Sequence, residues 1–385
     1  MTEADICVIV PVFRDSAGTA ERLADIAAQS MGRFHCLVAD NAPSTEAPYT
    51  ADIPLPDERF VLLRTDGINE ARVKNTALSR VTQPWVLFLE EGSLLPTALE
   101  GLGEAASVSR ADLIYSGWYE KRRDGSFSDR AFPYDGAMDA ADLTDRLILP
   151  LCCERYRAGG RQIPSIWGAA GHALLRTQAI ARTGVCFRED VPNSALWFDL
   201  DLLFGGARAA CVRDCLHVLP QESLSWREFT RFHEALWDDL CSRGISRAAQ
   251  YQLRAQLWHR ARACLRDVSL TAEERRAILS DPVLRLYCRH PRGLSFPERL
   301  SAKLFLPGIQ GVLRGGMRGD ARGAGDTGST GNTGNTRGAA PNPSKGPFGK
   351  GPLESPKPFE RVMGKVLTYE WATAEKQAFV QGKRS

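Results

Sequence analysis

The sequence predicts an α/β fold in which a mostly parallel sheet is flanked by helices and followed by an α-helical extension. Strand-like apolar runs alternate with segments of helical periodicity over the first 225 residues, as expected where crossover helices join parallel strands. Polar residues gather where the apolar runs end, which is where ligands bind in open α/β sheets. Together these observations predict a ligand site at the carboxyl edge of the sheet.

The predicted strands are short apolar runs with the bulk of buried sheet segments. They are Ile6–Phe13, Cys36–Asn41, Phe60–Arg64, Trp85–Leu89, Asp112–Tyr119 and Cys211–Val218. Two segments, Asp15–Gln29 and Asn69–Ser79, have the apolar spacing of crossover helices. A third helix is predicted over Asp139–Leu149, and it should end before Pro150 because the residue preceding a proline disfavours the helical conformation.

Beyond residue 225 the pattern changes to helices. Ser225, Thr271 and Ser295 are each followed three residues later by Glu, which is the form of a capping box at a helix N-terminus. Gly, Ser, Thr, Asn and Pro then dominate up to residue 358, a composition typical of a flexible linker. We therefore predict a sheet domain (1–225), a helical extension (226–308), a disordered low-complexity linker (309–358) and a short helical segment (359–385). The last segment either docks on this protein or a protein partner, or is a frayed tail.

Composition and charge narrow the class of protein. Hydrophobic content of 43% and charged content of 25% are ordinary for a globular protein. The sequence has no uninterrupted run of about 18 apolar residues, so we expect no transmembrane helix. The ten cysteines lack metal-ligand spacing and the N-terminus lacks the features of a signal peptide, so we expect a cytoplasmic protein. The net charge of +3 reflects a basic tail, and no basic face with interleaved aromatic residues indicates nucleic-acid binding.

One segment suggests contact with a membrane surface. Arg299–Arg318 mixes basic and apolar side chains, as do segments that lie on anionic membranes. Pro307 interrupts any single helix, and the apolar side chains are equally suited to closing the helical extension. Peripheral membrane contact is therefore one of two interpretations of this segment.

Two carboxylates, Glu90 and Glu91, follow the predicted strand Trp85–Leu89. Acidic side chains at the carboxyl end of a strand are hard oxygen donors, suited to a Mg²⁺ or Mn²⁺ ion that bridges a diphosphate. A solvated turn after a core strand is the alternative, and this stretch alone leaves both open.

Six short motifs occur in a fixed order along the first 225 residues. They are Val8–Phe13, Val38–Ala42, Val73–Leu78, Phe88–Glu91, Gly171–Arg176 and Phe198–Leu202. In order and spacing they resemble the motifs of family 2 glycosyltransferases with the GT-A fold, over residues 4–225. The resemblance implies an inverting, metal-assisted enzyme that moves a sugar from a nucleotide-sugar donor. The acceptor would be a hydroxyl of a glycan, a lipid-linked saccharide or a similar molecule.

The resemblance implies four residues on the donor side. Asp40 would contact the nucleobase, with a turn cap as the alternative, and Phe13 would stack near the base or pack in the core. Lys74 stands where the family has an arginine and would contact a phosphate, whereas a lone helix cation commonly lies on a solvated face. Glu90 would contact the donor and its metal.

The metal motif departs from the family pattern. Glu90 stands in place of the first aspartate, and no clear second aspartate follows. Either Glu91 substitutes after a one-residue deletion, or the second position is Gly92 and lacks a ligand. The predicted cofactor is thus a Mn²⁺ or Mg²⁺ ion bound by Glu90 and Glu91.

On the acceptor side, the resemblance implies that Asp199 is the general base and Asp201 a supporting residue. The alternative is a structural role, in which both acids stabilise the N-terminus of a helix. The glutamate that precedes the base in the family is Phe198 here. His217 is expected to be a core histidine with hydrogen-bond partners, and Trp167 is either a sugar-stacking platform or a buried aromatic.

The departures at Glu90–Gly92 and Phe198 leave a second function open. The chain would then be a catalytically degenerate GT-A protein that binds a nucleotide or glycan, or that acts in assembly through its helical part and tail.

Overall fold

The computed structural model describes residues 5–13, 16–122, 124–158, 161–220, 224–267 and 270–303. The chain divides into two compact units, residues 1–266 and 267–385. The predicted linker 309–358 and the segment 359–385 lie outside the described residues, as does most of Arg299–Arg318. Their linker, docking and membrane-contact roles stay predictions.

The first unit is built on a ten-stranded mixed sheet. The strands of this unit are β1 (Ile6–Val12), β2 (Phe34–Asp40), β3 (Phe60–Arg64), β4 (Trp85–Phe88), β5 (Ser93–Leu94), β6 (Leu113–Lys121), β7 (Phe127–Arg130), β8 (Gly136–Ala137), β9 (Tyr156–Ala158), β10 (Arg161–Ile163), β11 (Leu174–Arg176) and β12 (Ala209–Pro220). The strand order is β3-β2-β1-β4-β11-β6-β12-β5, with β7 beside β6 and β8 beside β12, while β9 and β10 form a separate hairpin.

Parallel pairing dominates the half of the sheet that carries the predicted donor motifs. β1 pairs in parallel with β2 and β4, β2 with β3, and β6 with β12. β11 is antiparallel to both β4 and β6, so β4 and β6 run in the same direction. The carboxyl ends of β1, β2, β4 and β6 therefore meet at one edge, and the predicted mostly parallel α/β sheet is confirmed.

Eight α-helices accompany the sheet among the described residues of the first unit. They are α1 (Ser16–Ala27), α2 (Glu70–Leu78), α3 (Ala98–Val108), α4 (Leu149–Cys152), α5 (Thr177–Thr183), α6 (Ser194–Phe204), α7 (Trp226–Ser242) and α8 (Arg247–Arg266). Alternate residues of β1 join different apolar clusters, because successive side chains of a strand point to opposite faces. Phe232, Leu236 and Leu240 of α7 belong to the same cluster as Cys7 and Ile9 of β1, so α7 packs on the sheet core.

The predicted helix Asp139–Leu149 is wrong in its bounds. The structure has a π-helical turn at Thr144–Ile148 that runs directly into α4, with Pro150 in the first turn of α4. Proline is tolerated there because the first helical turn has no intrahelical partner for its N–H groups.

The second unit contains α9 (Ala272–Ser280), α10 (Pro282–Arg289) and a helical stretch over residues 296–303. The capping boxes predicted at Ser225 and Thr271 are present. Ser295 donates from its backbone N–H and its hydroxyl to Glu298, at 2.9 and 2.6 Å. Within the described ranges, no helix is both long and apolar enough to cross a membrane.

Candidate active site

The predicted donor-side residues Asp40 and Glu90 lie at the carboxyl edge of the parallel strands. Asp40 is the last residue of β2, and Glu90 follows β4 by two residues. The loop that contains Gly171 reaches the same edge, because β11 runs antiparallel to β4. Ligands of open α/β sheets bind at such an edge, which makes it the candidate active site.

Asp40 is fully buried, and its carboxylate holds the loop that follows β2. Oδ1 accepts a hydrogen bond from the Ala42 N–H at 2.9 Å, and Oδ2 accepts from the N–H and the hydroxyl of Thr50, both at 2.8 Å. Burial raises the pKa of Asp40, but these hydrogen bonds favour the charged form and bring the pKa below its ordinary value. Asp40 thus caps a turn, the alternative left open by the sequence, and its contact with a nucleobase stays a prediction.

Phe13 and Trp167 differ in how far their rings are exposed at the protein surface. Phe13 follows β1 at the site edge and is 36% exposed, so its ring is not part of the core. Trp167 packs edge-on against Phe232, with ring centroids 5.5 Å apart, as a partly buried aromatic. Phe13 is therefore the better placed of the two to stack on a ligand, which stays a prediction.

Lys74 is completely buried between two glutamates. Its Nζ lies 2.7 Å from Glu70 Oε1 and 2.7 Å from Glu90 Oε1. Burial lowers the pKa of Lys74, but the two carboxylates outweigh burial and hold the pKa above its ordinary value. Lys74 is therefore a charged group inside the protein, and the solvated helix face considered from the sequence does not apply.

The two glutamates beside Lys74 differ in proton affinity. Burial raises the pKa of Glu90 above its ordinary value, and the charge of Lys74 offsets this only in part. For Glu70, burial raises the pKa, but the charge of Lys74 and the hydrogen bonds with Lys74 and Glu90 together outweigh burial and lower the pKa. Glu90 therefore has the higher proton affinity of the two glutamates.

The donor set at this edge does not fit a resident divalent ion. Glu90 is paired with Lys74, whereas Glu91 is an exposed side chain. Throughout the part of the chain that the structure describes, no three His, Cys, Asp or Glu side chains are grouped to hold a metal. Gly92, the alternative second position, has φ of +75°, and a Cβ there would overlap the carbonyl oxygen of Val218. This geometry does not support the predicted metal role of Glu90 and Glu91, which stays a prediction.

Asp199 is a buried acid whose pKa is affected by both Glu90 and Lys74. It is 1% exposed, and its Oδ2 accepts hydrogen bonds from the Tyr115 hydroxyl and the Gly171 N–H, both at 3.0 Å. Burial raises the pKa of Asp199 to about 7; Glu90 adds to the rise, while the two hydrogen bonds and Lys74 oppose it. A carboxylate whose pKa lies near the working pH is suited to act as a general base.

The position of Asp199 in α6 argues against the helix-terminus alternative. The helix begins at Ser194, after the N-cap Asn193, whose side chain accepts from the Leu196 N–H. Asp199 therefore lies in the second turn, whereas the attraction of an acid to a helix N-terminus fades within the first turn.

Two neighbours fix the carboxylate of Asp199. The Tyr115 ring is buried and stacks on Phe132, with centroids 6.0 Å apart. Gly171 has φ of +81°, and an added Cβ would lie 2.6 Å from the Cβ of Ala195. Glycine is therefore required where the chain turns its N–H towards Asp199.

Asp201 belongs to an ion-pair network. Its carboxylate pairs with Arg188 at 2.7 Å and with Arg243, and both arginines also pair with Asp239 of α7. The network ties α6 to α7, so Asp201 has a structural partner set, and its supporting role in catalysis stays a prediction.

Two histidines form a neutral pair near the site. The rings of His172 and His217 have centroids 5.9 Å apart. Burial lowers the pKa of His217 to about 3 and that of His172 to about 4, so both are uncharged at neutral pH. His217 is a core residue, as expected, but no described group forms a hydrogen bond with either of its ring nitrogens.

Sequence reasoning missed the roles of Glu70, Tyr115 and Gly171. A signal existed for Glu70, which precedes Lys74 by four residues on α2, the spacing at which opposite charges pair. No local pattern marks the other two, because their hydrogen bonds to Asp199 span 84 and 28 residues.

Solved structures of glycosyltransferases share this fold. No protein-family model matches the chain, and neither does any curated protein. Residues 1–349 of Staphylococcus aureus TarS in complex with UDP-GlcNAc match with a TM-score of 0.54 and 15% identity, over 81% of this chain and 92% of that one. A longer TarS structure matches with a TM-score of 0.52 and 15% identity, over 80% of this chain and 52% of that one.

A mannosyltransferase from Pyrobaculum calidifontis, in complex with GDP-Man and Mn²⁺, is also similar at 16% identity over 83% of each chain. Its TM-score of 0.39 is too low to carry an argument about donor or metal. The TarS likeness, at 15% identity, bears on the fold alone. The chain therefore has a GT-A-like α/β fold, as its motifs predicted.

Proposed function

We propose that this protein is a glycosyltransferase that moves a sugar from a nucleotide-sugar donor to a hydroxyl group. The observation that carries the proposal is Asp199, a buried carboxylate with a pKa of about 7 at the carboxyl edge of a GT-A-like sheet. Its two hydrogen bonds leave it anchored at one oxygen, Oδ2. The TarS structures that share the fold include complexes with UDP and UDP-GlcNAc, which supports a nucleotide-sugar donor.

The proposed reaction is a single displacement with inversion at the anomeric carbon. Asp199 takes the proton of the acceptor hydroxyl while the hydroxyl oxygen attacks that carbon. The bond between the carbon and the diphosphate breaks, and the nucleoside diphosphate leaves with the electron pair. A positioned base contributes about 10²–10⁴-fold to such a step. The acceptor is a glycan, a lipid-linked saccharide or a similar hydroxyl compound.

The donor side of the site follows the ends of β1, β2 and β4. Phe13 offers an exposed ring for the base, and Asp40 shapes the loop beside it. Lys74 and Glu90 lie beneath this edge as an internal pair, and the charge of each affects the pKa of Asp199. The charges of this pair therefore influence the protonation of the base.

A second candidate function, the binding of a nucleotide or glycan without turnover, is favoured by a different observation. Asp199 is only 1% exposed, and Glu90 is bound to Lys74 rather than free for a ligand. A protein that binds a nucleotide or glycan without turnover would have no need of an accessible base.

The two functions are separated by a thermal-shift screen followed by a transfer assay. Nucleotide sugars and nucleoside diphosphates should raise the melting temperature, because a ligand at about 100 times its Kd adds about 2.7 kcal/mol of stability. Free sugars and inorganic diphosphate are the controls. Release of nucleoside diphosphate with an acceptor present supports the transferase; binding without release supports the degenerate protein. No shift with any nucleotide contradicts the transferase and also a degenerate protein that binds nucleotides.

Replacing Tyr115 by Phe should move the pH dependence of transfer. The lost hydrogen bond favours the ionised form of Asp199, so the pKa of this group rises further above its ordinary value. The acidic limb of the kcat/KM profile then moves to higher pH, and activity returns well above pH 7. Tyr156→Phe, which removes a comparable hydrogen bond to Asp145, is the matched control and should leave the profile unchanged. An unshifted profile for Tyr115→Phe contradicts the role of Asp199 as base.

A further inference from the structure

The ammonium group of Lys74 is held by carboxylates from two separate chain segments. Glu70 comes from the first turn of α2, and Glu90 from the loop after β4. Both present one carboxylate oxygen, Oε1, to the same nitrogen at 2.7 Å. A divalent ion recruits carboxylate oxygens around one centre in the same manner, at 2.0–2.6 Å. The ammonium thus performs the charge neutralisation that a metal bound by these two residues would perform.

The surroundings of Lys74 fix the ammonium in this position. Its side chain is 0% exposed, and Nζ lies 4.9 Å from the centre of the Phe187 ring. Phe187 is itself bound to α2, because Asn75 exchanges two hydrogen bonds with its backbone, at 2.8 and 2.9 Å. The ring also stacks on Phe198 at 4.1 Å. A lysine enclosed in this way cannot swing out to admit an ion without unpacking the ring.

Among the described residues, no third His, Cys, Asp or Glu side chain joins Glu70 and Glu90 to complete a metal site. A side chain at position 92 would overlap the carbonyl oxygen of Val218 in β12, and Glu91 is exposed. A metal at Oε1 of Glu90 would therefore have to displace Lys74, whose Nζ lies 2.7 Å from that oxygen.

We propose that Lys74 is a built-in cation that occupies the place of a divalent metal between Glu70 and Glu90. Two consequences follow. The natural protein binds no divalent ion at Glu90, and any nucleoside diphosphate that it binds is bound equally well with Mn²⁺ and with EDTA. Removal of the ammonium leaves two carboxylate oxygens, from the exposed Glu70 and the partly buried Glu90, facing one point without a counter-charge, which creates a divalent-ion site.

The test is a Mn²⁺ titration of the full-length protein, followed by electron paramagnetic resonance and calorimetry. Lys74→Met should bind Mn²⁺ at least about tenfold more tightly than the natural protein, and the double variant Lys74→Met/Glu90→Gln should lose that gain. Mn²⁺ should also raise the melting temperature of Lys74→Met but not that of the natural protein. A folded Lys74→Met that gains no Mn²⁺ affinity overturns the proposal.

The natural protein supplies a second test if Lys74→Met does not fold. If the natural protein binds Mn²⁺ and Glu90→Gln weakens that binding tenfold or more, as expected when a ligand is lost, the proposal is overturned. The same Mn²⁺ affinity in the natural protein and in Glu90→Gln supports it. These readouts concern ion binding and need no acceptor or turnover, so their failure is distinct from failure of the proposed glycosyl transfer.

Discussion

Replacing Asp199 by Asn lowers glycosyl transfer by about 10²-fold or more and leaves nucleotide-sugar binding nearly unchanged, because a positioned base acts on the chemical step. The variant keeps the shape of the side chain, and its amide oxygen retains an acceptor for Tyr115 and Gly171. It loses only the ability to take the acceptor proton. Single-turnover rates with saturating donor measure the effect, and calorimetry measures the donor affinity.

The pH dependence of stability checks that the variant is intact. The pKa of Asp199 is raised from 3.8 to about 7, so the folded protein retains a proton that the unfolded chain releases. This contribution to stability is fully present below about pH 4 and is lost as the pH rises through about 7. Asn cannot ionise, so Asp199→Asn should be at least as stable as the natural protein at pH 8. If Asp199→Asn loses activity because it is unfolded at pH 8, that loss is not evidence that Asp199 is the base.

Asp201→Asn is the matched comparison two residues along α6. Among the described residues it leaves Arg188 and Arg243 with Asp239 as their one carboxylate partner, so its main effect should be on thermal stability. If Asp199→Asn turns over near normally while Asp201→Asn does not, the base is Asp201 and the assignment made here is wrong.

The sheet was predictable because each strand carries its own signal. Residues Phe60–Arg64 form β3 with the predicted bounds, and β1, β2 and β4 differ from their predicted ends by one or two residues. β1 and β4 are apolar on both faces, as buried parallel strands must be, whereas β3 is an edge strand with Val61 and Leu62 exposed. The capping residues at Ser225 and Thr271 were predictable for the same reason, since each cap is made within four residues.

The surroundings of the site residues were not predictable, because they depend on contacts distant in sequence. The sequence places Lys74 on a helix, but only the fold shows that β4 brings Glu90 to it from 16 residues away. It places Asp199 near a helix, but not beside Tyr115 on β6. The π-helical turn at Thr144–Ile148 likewise follows no local rule, because π turns depend on packing rather than on propensity.

Gly92 is the position at which restoring the family motif should fail. Gly92→Asp supplies the missing second acid, but the new Cβ overlaps the carbonyl oxygen of Val218, a backbone atom that cannot turn aside. The residue would also adopt φ of +75°, which costs a non-glycine residue about 1 kcal/mol. With about 1–3 kcal/mol for the forced backbone shift, the total is about 3 kcal/mol. For a unit of the size of residues 1–266, that lowers the melting temperature by about 5 °C.

Gly125→Asp separates the overlap from the backbone strain. Gly125 has φ of +81°, and nothing lies within 4 Å of a Cβ built on it, so the same substitution there bears the conformational cost alone. We expect thermal unfolding to show a loss about 2 kcal/mol greater for Gly92→Asp than for Gly125→Asp. Mn²⁺ should not restore the stability of Gly92→Asp, because the strand β12 occupies the space that the new carboxylate needs. Equal losses in the two variants, or a rescue by Mn²⁺, would show that the loop after β4 has room for a second metal ligand.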